Sequence, residues 1–214
     1  MLLKIAAVFG AVAVGGPIAL HLAQKNPARQ TAIPPVTAQA TFAGGCFWSI
    51  EKLFDNLDGV ISATSGFTGG TVKNPSYEQV VSGSTGHREA VLVVYDPAKV
   101  SYERLLDAFW HDIDPTTPNG QFCDFGPQYR TAVFYHDETQ HRLADASRVK
   151  IDQSKKLSRP VVTEILPAQM FYPAEDYHQD FARRHSGHYN SYLVGCGRDR
   201  KLREVWGSDA YQSK

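Results

Sequence analysis

Cys46 is the side chain of this sequence best placed to act as a nucleophile. It lies in the segment Thr41-Phe-Ala-Gly-Gly-Cys-Phe-Trp-Ser-Ile-Glu51. An apolar strand candidate, Ala40 to Ala43, runs into Gly44 and Gly45, and a helix candidate, Phe47 to Asp55, follows at once. A thiol at a helix N-terminus meets unpaired backbone N–H groups and the positive end of the helix dipole, both of which favour the thiolate. Such sites lower a cysteine pKa well below its free value of ~8.5. The glycines allow a tight turn and leave room for a substrate. A free thiol is more often a buried structural residue. The two glycines before Cys46 and the two large aromatics after it turn the reading towards a reactive one.

The other cysteines are Cys123 and Cys196. The count is odd, the spacings are long and no Cys-x-x-Cys pair exists, so the pattern gives neither a structural zinc site nor a disulfide scaffold. No metal site is expected. One reactive thiol with a partner thiol is the more informative arrangement. The 214 residues carry 22 basic and 22 acidic side chains. The first forty residues hold Lys4, Lys25 and Arg29 and no acid, which leaves 19 basic and 22 acidic side chains in the remainder. No basic stripe is present, so nucleic-acid binding is not expected. Neither a Gly-x-Gly-x-x-Gly nor a Gly-x-x-x-x-Gly-Lys run occurs, so no nucleotide site is indicated.

Ile5 to Ala23 is almost wholly apolar, with Lys4 before it and a Gly15-Gly16-Pro17 break inside it. This fits a signal-peptide core or a short membrane anchor. The small-residue sites Val36-Thr-Ala38 and Ala38-Gln-Ala40 lie far downstream, which favours an uncleaved anchor. Lys25 and Arg29 follow the run closely, so the positive-inside rule fixes no orientation. The expected organisation is a signal or anchor over 1–23, a proline-containing linker over 24–40 and a catalytic domain over 41–214. The enzyme part is expected to be exported, periplasmic or membrane-anchored.

Within the domain, VISATSGF (60–67) and EAVLVVY (89–95) read as strands, and Tyr77 to Val81 as a short helix entered by Asn74-Pro-Ser76. Ser101 caps a helix through Trp110 with Leu105, Leu106 and Phe109 on a helical period. His111 to Gln128, with three prolines and two glycines, is a long loop of the kind that is usually functional. Tyr129 to His136 reads as a strand, Asp137 to Lys155 as a polar helix, Val161 to Leu166 as a strand and Ala174 to His185 as a helix. Strands and helices alternate irregularly, which predicts an α/β two-layer sandwich rather than a doubly wound sheet.

Gly45-Cys-Phe-Trp-x-x-Glu51 resembles the signature of the peptide methionine sulfoxide reductase A family. Five further blocks agree in order: Ser65-Gly-Phe-Thr-Gly-Gly70, Asn74-Pro-Ser-Tyr77, Thr85-Gly-His-Arg-Glu-Ala-Val91, Asp124-x-Gly-x-Gln-Tyr-Arg130 and Ala174-Glu-Asp-Tyr-His-Gln179. The fold expected is then a two-layer α/β sandwich, a mixed sheet with helices around a ferredoxin-like core and long loops.

The resemblance implies a thiol-dependent reduction of methionine-S-sulfoxide, in proteins and free, as repair of oxidative damage. Cys46 is similar to the family's nucleophile and Glu89 to its acid. Glu89 opens an apolar strand, where partial burial raises its pKa and keeps a proton available near neutrality. Tyr77 and Tyr129 match tyrosines that hydrogen-bond the sulfoxide oxygen. Phe47 and Trp48 match the wall around the substrate methyl group, and Asp124 a polar residue of the same pocket. Glu51, His87, Glu175 and His178 are read as support. Attack leaves methionine and a sulfenic acid on Cys46. A second thiol condenses with it, and thioredoxin or a similar dithiol reduces the resulting disulfide, with no bound cofactor. Cys196, flanked by glycines in a tail that can swing inward, is the expected second thiol, with Cys123 as a relay or an alternative. The expected partners are oxidised proteins or peptides, the dithiol donor and, through an uncleaved N-terminus, the membrane; the chain is expected to be a monomer.

The chain departs from the family pattern at Ile113-Asp-Pro115, at Phe122-Cys123, at Phe125 and in the charged tail Arg198 to Trp206. A rival enzyme class is a thiol hydrolase or transferase, with His87 as base toward Cys46; a non-catalytic binding module is the other alternative.

Overall fold

The computed structural model describes residues 36–211. The expected signal or anchor segment and the linker up to residue 35 lie outside the described residues. The elements in order are β1 (Ala38–Ala43), α1 (Phe47–Asp55), β2 (Val60–Thr68), α2 (Tyr77–Val81), β3 (Arg88–Tyr95), α3 (Tyr102–His111), β4 (Gly120–Gln121), β5 (Asp124–Phe125), β6 (Ala132–Tyr135), α4 (Glu138–Gln153), β7 (Glu164–Pro167), β8 (Tyr172–Pro173), α5 (Phe181–Arg184), α6 (Ser186–Cys196) and α7 (Arg198–Trp206). β1 starts inside the segment expected to be linker, because Ala38 to Ala40 already pair with β3.

The main sheet has the order β7-β6-β1-β3-β2-β8, with β7 parallel to β6 and every other pair antiparallel. The path β1-α1-β2-β3-α3-β6 over the strand order β6-β1-β3-β2 is the expected ferredoxin-like core in a mixed sheet. Alternation along β3 sends Val91, Val93 and Tyr95 to one face, where they pack with Ala40, Phe42, Ile50, Leu53, Phe54, Leu105, Leu106 and Phe109. Burying each large apolar side chain there contributes ~1.5–3 kcal/mol. Glu89 shares the parity of Val91 and pairs across the sheet with Phe67, so it is the polar end of an apolar file that faces the helices. On the other face Ala43, Ala90, Ala132 and Phe134 are covered by Leu166, Ala168 and Phe171.

The helix starts follow their capping residues. Ser76 and Gln79 form a reciprocal capping box on α2, the Ser101 hydroxyl accepts from Arg104 N–H, and Asp137 accepts from Gln140 N–H.

Three expectations change. The helix expected over 174–185 is a run of turns ending in the four-residue α5. Its side chains are tied to distant backbone instead: Glu175 accepts from Tyr77 N–H, and the Gln179 amide bridges Ser65 N–H and Ser65 C=O. Asp180 then turns left-handed at φ 55°. The tail around Cys196 is not loose. Cys196 ends α6, Gly197 closes that helix at φ 62°, and the charged segment is α7. Arg198 bonds Asp112 through both its carbonyl and its carboxylate, and Trp206 donates to the Ile113 carbonyl. Tyr129, expected in a strand, sits in a 3₁₀ turn, Pro127–Tyr129, and the strand itself is Ala132–Tyr135.

Candidate active site

The turn that presents Cys46 depends on Gly45. Its φ is +86°, and a Cβ there would stand 2.5 Å from the Gln121 Cβ. Gln121 is fixed by its own amide, which accepts from Asp114 N–H at 2.8 Å and donates to Asp114 C=O at 2.7 Å. The β4–β5 loop therefore backs directly onto the turn. Cys46 is the N-cap of α1 and makes no side-chain cap bond, so its sulfur is left for other contacts. The first N–H of the helix, on Phe47, donates to Glu89 Oε2 at 3.0 Å. The carboxyl of β3 thus meets the helix N-terminus beside the thiol. Cys46 is 7% exposed and Glu89 2%.

Burial decides the electrostatics. It pushes the Cys46 thiol far above its ordinary range, and the charges of Glu89 and Asp124 act in the same direction. The Tyr192 hydroxyl and the Trp48 backbone N–H pull the other way without prevailing. The thiol lowered by its helix terminus, as expected from the sequence, is not what the fold provides: desolvation outweighs the dipole. Glu89 is pushed up to about 8, first by burial and then by Asp124, against the Phe47 N–H bond. It therefore holds a proton at neutral pH, and in that form places no charge on Cys46.

Tyr77 and Tyr129 converge on the same volume. Burial raises both phenols, and the charges that raise them further include Glu89, Asp124 and Cys46 in each case. The apolar wall is aromatic. Phe47 lies 5.9 Å from Phe67, 6.3 Å from Tyr77 and 5.1 Å from His178, centroid to centroid. Trp48 stacks on Phe181 at 3.7 Å and donates its indole N–H to His178 Nδ1 at 3.1 Å. That bond puts the His178 proton on Nε2, and the ring supports Tyr77 at 4.2 Å.

Cys123 and Cys196 are joined in a disulfide with Cα atoms 5.0 Å apart, and Cys46 is free. Both sulfurs lie within 4.8 Å of an Asp124 carboxylate oxygen. Tyr192, unremarked in the sequence, donates its hydroxyl to Asp124 Oδ2 at 2.5 Å and has the Cys46 thiol among its titrating neighbours. The signal that could have found it is its position one helical turn before Cys196.

His87 is no base for Cys46. Its Nδ1 accepts from Gly70 N–H at 3.2 Å, so Nε2 carries the proton and donates it to the Val72 carbonyl at 2.7 Å. Both ring nitrogens are engaged by backbone, which removes the expected base of the hydrolase alternative.

The family profile described as peptide methionine sulfoxide reductase matches residues 38–210. The peptide methionine sulfoxide reductase MsrA of Bacillus licheniformis is 49% identical over 168 residues, covering 78% of this chain and 93% of the relative. That of Bacillus subtilis is 48% identical over 169 residues, covering 79% and 96%. Among solved structures, methionine sulfoxide reductase A of Corynebacterium diphtheriae superposes with a TM-score of 0.63 at 33% identity, covering 72% of this chain and 76% of that one. With a free thiol beside a protonated carboxyl in a ferredoxin-like core, and relatives this similar over nearly their whole length, the chain belongs to the peptide methionine sulfoxide reductase family.

Proposed function

We propose that the chain reduces methionine-S-sulfoxide, in proteins, in peptides and free, by thiol chemistry at Cys46. The observation that carries this reading is the buried, protonated Glu89 bonded to the N–H next to Cys46, with the phenols of Tyr77 and Tyr129 around it. The sulfoxide oxygen enters among Glu89, Tyr77 and Tyr129, and its methyl group rests against Phe47 and Trp48. The Cys46 sulfur attacks the sulfoxide sulfur while Glu89 protonates the oxygen. That attack joins the two sulfurs as the Cys46 thiol gives up its proton, and the protonated oxygen leaves as water. A water molecule then adds to the Cys46 sulfur, breaking the sulfur–sulfur bond, releasing methionine, returning a proton to Glu89 and leaving Cys46 as a sulfenic acid; substrate sulfur is reduced by two electrons and Cys46 is oxidised by two. Asp124 completes the polar end of the pocket.

Recycling runs through the other two thiols. Cys123 attacks the Cys46 sulfenic acid, expelling water and forming a Cys46–Cys123 disulfide. Cys196 then attacks Cys123, freeing the Cys46 thiol. The pairing Cys123–Cys196 with Cys46 free supports this order, with Cys196 as the final partner and Cys123 as the relay. Thioredoxin or a similar dithiol reduces the surface disulfide. The apolar segment 5–23 supports an exported or membrane-anchored enzyme that repairs oxidised proteins outside the cytoplasm.

The test is incubation of the protein with each epimer of a methionine sulfoxide peptide and a dithiol, with the products followed by chromatography. The S epimer is expected to be consumed in step with the dithiol and the R epimer left almost untouched, and Cys46→Ser to abolish turnover. Equal rates on both epimers, or turnover by the serine variant, refute the assignment.

A further inference from the structure

Tyr192 and Cys196 lie four residues apart on α6, and so on one side of that helix. Cys123 and Asp124 are consecutive in the β4–β5 hairpin, Cys123 in its turn and Asp124 opening β5. The disulfide and the Tyr192–Asp124 hydrogen bond are therefore two fastenings between the same helical turn and the same loop. Beyond them, the next anchor is Arg198 on Asp112, past the Gly197 break that ends α6. Tyr189 is the buried residue of α6, and Val194, between Tyr192 and Cys196, is 83% exposed. The Tyr192 hydroxyl rests on the polar end of the pocket assigned to the substrate. It bonds Asp124 of the pocket, and its ring stands edge-on to Trp48 at 6.1 Å. A near-attack arrangement needs the reacting atoms ~3–3.5 Å apart, and a tyrosine held on Asp124 and against Trp48 takes up room beside the thiol that the sulfoxide needs.

We propose that Tyr192 is a positioning residue through which the Cys123–Cys196 disulfide closes the active site: while the disulfide stands, α6 holds the Tyr192 hydroxyl on Asp124 beside the Cys46 pocket, and reduction of the disulfide releases it and admits the sulfoxide. The inference rests on the site reading above. The reductant is a dithiol, which delivers two electrons and two protons, becomes a disulfide itself and leaves Cys123 and Cys196 as thiols. Reduction then precedes substrate binding in each cycle. An enzyme that has finished a turnover does not take a second substrate while its electrons are spent, so no Cys46 sulfenic acid is left without a thiol to resolve it.

The experiment measures the rate at which iodoacetamide labels Cys46 in the full chain, read site by site from the Cys46 peptide by mass spectrometry. Wild type and Tyr192→Phe are each taken oxidised, and reduced with dithiothreitol and desalted. Phenylalanine keeps the ring and its packing on Trp48, and Tyr192→Ala serves as a second, more open variant. Wild type is expected to be labelled faster after reduction by about tenfold or more, the effect of one charge-assisted hydrogen bond. Oxidised Tyr192→Phe is expected to show most of that acceleration, and its reduction to add less than about twofold, the non-additivity of two changes acting on one contact. Losing the hydroxyl would by itself raise the thiol pKa and slow labelling, so an acceleration reports access rather than acidity. Equal rates in oxidised and reduced wild type overturn the proposal. So does a Tyr192→Phe or Tyr192→Ala chain that gains as much from reduction as wild type does. Because labelling needs no sulfoxide, failure of the gate and failure of the reductase assignment are read in different assays.

Discussion

Glu89→Gln separates what the buried carboxyl does for the reaction from what it does to the fold. Glu89 titrates from 4.5 in an unfolded reference to about 8 in the folded site. Its folded pKa is raised, so its contribution is most favourable below the unfolded value and declines as pH rises towards the folded one. Each pKa unit corresponds to 1.36 kcal/mol. At pH 7 the unfolded chain carries Glu89 ionised while the fold holds it protonated, a difference of roughly 3 kcal/mol against folding, growing to roughly 5 kcal/mol above pH 9 and vanishing near pH 4. Glutamine keeps the oxygen that accepts from Phe47 N–H and cannot ionise. Glu89→Gln is therefore expected to stabilise the protein at pH 7 by about 2–3 kcal/mol, a urea midpoint shift of about 1 M or more for m values of ~1–3 kcal/mol/M, with no gain at pH 4. The single-turnover rate of sulfoxide reduction should meanwhile fall by at least ~100-fold, the lower range for a lost general acid. The assay is urea unfolding of both proteins at pH 4, 7 and 9 beside rapid-quench kinetics. Glu51 and Asp55 are also raised by burial, to about 7 and about 6, so the wild-type curve alone is not diagnostic and the difference between the two proteins is the quantity to plot. A difference independent of pH, or an unchanged single-turnover rate, refutes a protonated Glu89 as the donor.

Tyr77→Phe and Tyr129→Phe should each lower the single-turnover rate by about tenfold or more, since hydrogen bonds to charged or charge-developing groups contribute ~1.5–3 kcal/mol; the double variant measures their coupling. Arg198→Met leaves Asp112 buried without its partner and should destabilise the fold by ~3–5 kcal/mol in a thermal or urea melt. Gly45→Ala brings a Cβ to 2.5 Å of the Gln121 Cβ at a φ of +86°; it should cost more than about 1 kcal/mol and slow turnover by displacing Cys46.

The elements that carry the site were legible because their signals are local. Glycines punctuate α1, serines and aspartates cap α2, α3 and α4, and the apolar period of β3 marks the face on which Glu89 lies. The elements read differently from the sequence take their form from distant partners. Glu175 and Gln179 give their side chains to backbone some hundred residues away, so 174–180 does not become helix despite its composition. The tail is ordered by Arg198 on Asp112 and by Trp206 on the Ile113 carbonyl, long-range bonds that no local pattern announces. The thiol's acidity departs from the sequence expectation for the same reason. The helix terminus is visible in sequence, whereas the burial that overrides it is a property of the assembled core.

Two local rules are broken at the centre of this fold, and both breaks meet at one atom pair. An apolar strand carries a carboxyl where its pattern calls for an aliphatic side chain, and a helix begins on a thiol that caps nothing. Either alone would be a liability: an unpaired buried acid is costly, and an N-cap that makes no side-chain bond forgoes about 1 kcal/mol. Together they compensate in part, because Glu89 accepts from the Phe47 N–H, the first orphan donor of the helix, which an N-cap side chain does not serve. The acid, not the thiol, then caps the helix. Glu89 is thereby held beside Cys46 in the low-dielectric setting that keeps it protonated. A sulfoxide reductase needs that combination at neutral pH, a soft nucleophile and a proton source that do not neutralise each other. In this chain it arises from one N–H contributed by the helix between them.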